Sequence, residues 1–424
     1  MTRNHGHIVL YILFVWFVIS FVTNIIGPLM PIIIRDFSLS LALAGVLPFS
    51  FFMAYGVVSI PAGIMVERIG PKPTLLAAFL LNLVGALWFA LFPTYLVVVA
   101  ALFVIGAGMA MLQVVINPLM RTAGGEAHFA FFSVLAQLVF GLASFLSPLV
   151  FSALMQSSPG AEPGALAWLA PDALPWISFY WGFAAIFVLF VVGTTALHIP
   201  RLDLKEDERA GTAAVYRELL RDRHVRLFFL GIVAYVGTEQ SLANWMSQFL
   251  STYHGVSPTL EGAHAVGAFW GLMSLGCVFG LLLLKLLDSK FVLGMFCTGA
   301  IVCVALALFG AREIALFAFP MTGFCLSVMF SVVFSLALNS TPRHHGALSG
   351  ILCTGILGGA LFPLLVGLLG DWLGLRAAMS TVFLSLAYVL GIGIWADPII
   401  RNDTVSLAKL LGWSKVSRAG ERPT

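Results

Sequence analysis

The stretch "GIMVERIGPKP" (Gly63–Pro73) interrupts a long apolar run with an acid, two cations, two glycines and two prolines. A degraded counterpart, "GLLLLKLLDSK" (Gly280–Lys290), keeps the glycine, a cation at the matching place and polar residues beyond. A charged loop that recurs between apolar runs points to a chain built from two related halves. The sequence on either side of the two copies tests that reading.

Of 424 residues, 60% are hydrophobic and 10% charged, against roughly 25% charged for a soluble domain. Thirty-six Phe and ten Trp cannot be hidden in a soluble core at that charge density. A helix crossing the hydrocarbon of a bilayer needs roughly 20 apolar residues. Windows of that length lie at 8–34, 41–66, 74–92, 95–120, 128–154, 176–197, 227–251, 263–287, 291–310, 313–339, 347–370 and 377–396. Each must satisfy its own backbone hydrogen bonds in lipid, so the expected class is an all-α polytopic membrane protein of twelve helices. The first window is too long for a signal-peptide core and is read as a retained span. All five cysteines lie in apolar stretches, which implies no disulfide framework.

The loops check the count. With both termini in the cytoplasm, Arg35, Arg312 and Arg376 lie outside and the other 19 of the 22 Lys and Arg lie inside. A helix missed or invented would scramble that asymmetry. The longest charged stretch, 198–226, joins six spans to six. The expected organisation is 1–197, a cytoplasmic connection at 198–226, 227–400, and a cytoplasmic tail at 401–424. Within the connection, "AAVYRELLRDRHVR" has the pattern of a short amphipathic surface helix, with a solvated linker as the alternative.

"GIMVERIGPKP" resembles the loop motif of the major facilitator superfamily, G-x-x-x-D-R-x-G-R-K. Gly63, Glu67, Arg68, Gly70 and Lys72 match it, with Glu for Asp and Pro71 for Arg. Gly63 would permit close helix contact, and the acid and cation could pair and cap helix ends across the half-to-half interface in one conformation. Four further stretches resemble the fucose permease branch, the fucose–galactose–glucose symporters. They are "MLQVVINPLMRTAG" (111–124), "SVLAQLVFGLASFLSP" (133–148), "YVGTEQSLANWMSQFL" (235–250) and "GGALFPLLVGLLGDWLG" (358–374). The resemblance runs the full length and implies an alternating-access transporter of neutral hexoses, driven by protons or in some relatives by sodium. It also implies that spans one, four, seven and ten line the cavity. Where proton-coupled relatives carry acids, in the first span and before the fourth-span Asn-Pro, this chain has Asn24 and Gln113. Neither titrates, so sodium, another carboxylate or no coupling must replace the usual path.

A charge at the centre of a membrane helix costs about 2.5–3.5 kcal/mol on insertion scales, so polar residues there face the bundle interior and tend to be functional. Asn24, Gln113, Asn117 and Gln137 are such residues; Gln113 and Asn117 share a helical face. An amide donates and accepts at once, which is what sugar hydroxyls need. Glu239, Gln240 and Asn244 form a second group, continued by Gln248, with Gly237 expected to loosen the helix before them. Trp245 and Trp270 offer faces for a pyranose, whereas Asn82 and Asn339 read as interhelical glue. Glu239 is the carboxylate that lies well inside a span, a candidate for sugar ligand, proton or sodium coupling, or structural hydrogen bond. No Lys or Arg is similarly deep, which disfavours anionic substrates.

No nucleophile–base constellation, P-loop or zinc spacing occurs, so an enzyme, a metal site and a cofactor are not expected. The expected partners are a small neutral sugar and the lipid bilayer, with no nucleic acid, in a monomer of the plasma (bacterial inner) membrane. The alternative is a drug/proton antiporter of the same fold, but the fifth span lacks the glycine pattern G-x-x-x-G-P-x-x-G-G of that group.

Overall fold

A computed structural model describes residues 6–124, 129–155, 174–199, 213–341 and 345–399. Among them the chain is helical throughout, without strands. Eleven helices are long and apolar enough to cross a membrane. The first six are Gly6–Asp36, Leu41–Ile69, Pro71–Leu91, Tyr95–Met120, Leu135–Met155 and Ser178–Ala196. The last five are Pro258–Leu286, Ser289–Phe309, Arg312–Asn339, Ala347–Leu373 and Leu375–Trp395. Between the two sets stands Arg223–His254, a 32-residue helix. Its polar residues keep its hydropathy below that of the others. It occupies the seventh position of a twelve-helix, two-half bundle, and the spans are called one to twelve below.

The two halves repeat one packing solution. In the first, Gly106 of span four lies against the Phe51 carbonyl of span two, where an added Cβ would stand 2.2 Å from that oxygen. In the second, Gly323 of span ten lies against the Phe269 carbonyl of span eight, at 2.1 Å. Only glycine admits backbones so close. The cations of the loop motif repeat too, each at the end of a span of its own half. Lys72 Nζ donates to the Thr195 and Leu197 carbonyls, both at 2.8 Å, and so caps the end of span six in its own half. Lys290 Nζ does the same for span twelve, through Ile394 (3.3 Å) and Ala396 (2.6 Å). A cation is favoured at a helix C-terminus because the last carbonyls lack intrahelical partners. Arg68 is exposed, and a Cβ on Gly63 would meet nothing within 4 Å. The close helix contact expected at Gly63 is therefore absent. Gly70 serves the turn instead, with φ 91°.

Three spans break near mid-depth. Span one is interrupted between Thr23 and Ile26, where Pro28 removes the donor that the Asn24 carbonyl would have received. Span ten is interrupted between Leu326 and Met329, and span eleven passes through a 3-10 turn at Gly355–Leu357. Span seven is continuous. The helix runs unbroken through Gly237, where loosening was expected; the glycine makes room for the Phe362 ring, whose Cδ2 would lie 2.4 Å from an added Cβ.

Of the charged connection, a helix at Ala213–Arg221 confirms the amphipathic pattern. Asp222 ends it and caps the next helix, accepting from His224 N at 2.7 Å, so span seven starts at Arg223 rather than near 227.

Candidate functional site

Spans one, two, four and five of the first half and spans seven, eight, ten and eleven of the second enclose a cavity of about 420 Å³. Its floor is polar on both sides. From the first half come Asn24, Gln113 and Gln137, and from the second Glu239 and Gln240. Trp16, Tyr55 and Trp270 supply aromatic walls. Among the described residues that line the cavity there is no Lys or Arg. The lining continues down span eight through Cys277, Leu281 and Leu284, toward the bundle end that carries the 213–221 helix.

At the opposite end the halves are closed. The Asp371 carboxylate of span eleven accepts from Leu41 N (2.8 Å) and Ala42 N (2.9 Å), capping span two across the half-to-half boundary. Ser40 Oγ takes the next amide, Leu43 N, at 3.3 Å. Nearby, span one lies so close to span seven that a Cβ on Gly27 would sit 2.5 Å from the Ala243 carbonyl. The cavity therefore faces one side of the membrane only.

Local sequence explains how each polar group is held. Asn24 is 5% exposed and sits at the break of span one. Its Nδ2 donates to Ser144 Oγ of span five and to the Ser20 carbonyl, both at 2.9 Å. Ser20 and Ser144 hydroxyls are themselves 2.6 Å apart. On the other wall, Glu239 accepts from the Tyr235 hydroxyl at Oε2 and from Gln240 Nε2 at Oε1, the latter at 3.0 Å. Asn244 Nδ2 donates to the Gln240 carbonyl at 2.8 Å and approaches Gln240 Oε1 at 3.4 Å, which turns the Gln240 amino group toward the carboxylate. Trp270 is buried against the cavity and its indole N–H has no hydrogen-bond partner among the described residues.

The structure thus brings together Asn24, Gln113, Gln137, Glu239, Gln240 and Trp270 around one space. It places others elsewhere. Trp245 is fully buried and donates from Nε1 to the Pro363 carbonyl at 3.0 Å, so it braces span seven against span eleven and does not line the cavity. Asn244 stands behind Gln240 as its support. Gln248 turns to Thr252 at 3.1 Å. Asn82 donates to the Ala78 carbonyl of its own helix at 2.9 Å, and Asn339 reaches Ser335 at 3.4 Å. The Asn117 side chain lies outside the described residues.

Sequence reasoning missed Tyr235, Tyr55, Trp16 and the Ser20–Ser144 pair. Tyr235 was within reach of it: an aromatic hydroxyl four residues before a buried acid shares its helical face. The serines carry no such signal, because a hydroxyl can bond the carbonyl four residues back in any apolar helix, as Ser144 does with Phe140 at 2.9 Å.

Comparison with known proteins agrees with this architecture. Residues 12–356 match the Major Facilitator Superfamily. A glucose/galactose transporter of Brucella abortus is 30% identical over 397 residues, covering 92% of this chain and 94% of its own. An L-fucose-proton symporter of Escherichia coli is 23% identical over 381 residues, covering 85% of each chain. Among solved structures, the major facilitator transporter FucP in the outward conformation superposes with a TM-score of 0.66 at 21% identity, over 93% of this chain and all of that one. With twelve helices in two repeated halves around one central cavity, and a family match over most of its length, the chain belongs to the major facilitator superfamily.

Proposed function

We propose that this protein is an alternating-access importer of a neutral hexose of the glucose, galactose or fucose class, driven by protons through Glu239. The observation that carries the reading is the composition of the cavity: amides from both halves, aromatic walls, one carboxylate and no cation. Amide groups match the mixed donors and acceptors of sugar hydroxyls, and the Trp270 and Trp16 rings offer apolar faces to a pyranose. A cavity of this size lies within the range of small-molecule sites. An anionic substrate would meet Glu239 with nothing to offset its charge.

The choice of proton over sodium rests on what surrounds the carboxylate. Hard cations want several oxygen acceptors, whereas the side chains that meet the two Glu239 oxygens do so as donors, an O–H and an N–H. The relatives named glucose/galactose transporter and L-fucose-proton symporter support both the substrate class and the coupling ion. In this reading the protein is a monomer of a bacterial inner membrane with both termini cytoplasmic. Residues 1–197 and 227–400 rock about the 198–226 connection, and 401–424 form a cytoplasmic tail. The cavity then faces the cytoplasm, and Asp371 closes the outer gate. Asn24, Gln113, Asn117 and Gln137 contact sugar from the first half, with Glu239, Gln240 and Trp270 opposite.

Binding tests it directly. Titration of purified protein with glucose, galactose, mannose and fucose, read by intrinsic tryptophan fluorescence, should saturate for at least one sugar. Gln137→Leu should weaken that affinity by about tenfold or more, the loss of roughly one or two hydrogen bonds left unmade. Absence of saturation with every sugar would overturn the substrate class.

A further inference from the structure

Glu239 is held by two side chains of its own helix. Its two oxygens each receive one donor, Tyr235 Oη–H at Oε2 and Gln240 Nε2–H at Oε1. Neither donor is free to turn away at no cost. The Tyr235 ring stands against Phe330 of span ten, with centroids 6.0 Å apart, just beyond the break in that span. The Gln240 amide is oriented by Asn244, which occupies its carbonyl side.

Two donors on two oxygens favour the carboxylate, because each bond to the charged form is charge-assisted and stronger than its neutral counterpart. A protonated Glu239 could be met at Oε2 only by the Tyr235 hydroxyl turning to accept, which exchanges a charge-assisted bond for a neutral one. We infer that Tyr235 and Gln240 form a two-donor clamp that selects the charged form of Glu239 in the conformation open toward the 213–221 helix, and so makes proton release occur on that side. This rests on the reading of Glu239 as the coupling group.

The step is a simple transfer. The O–H bond of the Glu239 carboxylic acid breaks and its electron pair stays on the carboxylate. The proton passes to a water of the open cavity, and the Tyr235 hydroxyl and Gln240 amino hydrogens then close on the two oxygens. The other titratable group near the carboxylate on the same wall is Cys277 of span eight. Across the cavity, spans one, two, four and five present Asn24, Tyr55, Gln113 and Gln137, of which Tyr55 alone titrates. The clamp donors are therefore the groups placed to set when Glu239 gives up its proton. Tyr235 acts here as a positioning residue.

The test follows the protonated carboxyl by its infrared C=O band, in reconstituted protein without sugar, against pH. The band is assigned to Glu239 by its loss in Glu239→Gln. Removing one hydrogen bond to a charged group should move the midpoint upward by about one to two pH units. That shift is expected in Tyr235→Phe, which keeps the ring against Phe330, and in Gln240→Met, which removes the other donor. Unmoved midpoints in both variants would overturn the clamp. A titrating band that persists in Glu239→Gln would instead remove the coupling role from Glu239, a failure distinguishable from the first.

Discussion

The end closed by Asp371, the outer gate in the proposed orientation, offers a perturbation whose size can be worked from the structure. Asp371 links the halves by accepting two backbone amides of the first turn of span two, Leu41 N at 2.8 Å and Ala42 N at 2.9 Å. These amides have no partner within their own helix, and the carboxylate also meets the positive end of the helix dipole. Loss of a capping side chain costs about 0.5–2 kcal/mol, and an exposed charge at a helix end contributes about 0.3–1 kcal/mol. Asp371 is exposed, so the low part of the combined range applies, about 1 kcal/mol, or roughly a fivefold change in the ratio of closed to open. Asp371→Ala should shift the population toward the outward-open form by that factor. Asp371→Asn keeps one acceptor oxygen and should shift it less. The assay is the spin-label distance between Thr94→Cys and Ala311→Cys, at the outer ends of the two halves, in protein freed of its five native cysteines. An unchanged distance distribution in Asp371→Ala would refute the assignment of this cap as a gate.

Three smaller tests follow from other contacts. A Cβ at Gly141 would stand 1.9 Å from Ser274 Oγ, which is itself tied to the Trp270 carbonyl at 3.0 Å; Gly141→Val should therefore drive spans five and eight apart and lengthen the same outer distance. Trp245→Phe leaves the buried Pro363 carbonyl without its donor and should cost about 1–3 kcal/mol; it should lower the melting temperature while leaving sugar affinity unchanged, and the reverse pattern would put the indole in the cavity after all. Lys290→Met uncaps Ile394 and Ala396 and should speed amide exchange at the end of span twelve, with no change there counting against the cap.

The spans were legible because the bilayer sets the length of an apolar helix. Asn24, Gln113, Gln137, Glu239 and Gln240 were legible for the same reason, since a polar side chain in oil must have a purpose. What the sequence hid is which neighbour each residue meets. Gly237 reads as a loosening of the helix and proves to be a socket for Phe362, a residue far along the chain. Trp245 lies on the most polar span, yet that helix is buried on nearly every side, and its indole faces span eleven. Lys72 reads as half of a switch, because its actual partners, the carbonyls ending span six, are peptide groups without any sequence signature. Tyr235 is one of many aromatics, marked in the sequence by its four-residue spacing to Glu239 and in the structure by the approach of its hydroxyl to that carboxylate.

The central claim, a neutral hexose driven inward by protons through Glu239, is tested most directly by uptake into proteoliposomes. Labelled glucose, galactose, mannose and fucose would each be offered under an inward proton gradient, an inward sodium gradient and no gradient, with wild type and Glu239→Gln. The account predicts concentrative uptake of at least one sugar under the proton gradient alone, abolished by Glu239→Gln. Saturable uptake indifferent to the proton gradient, or accumulation that survives the substitution, would contradict it.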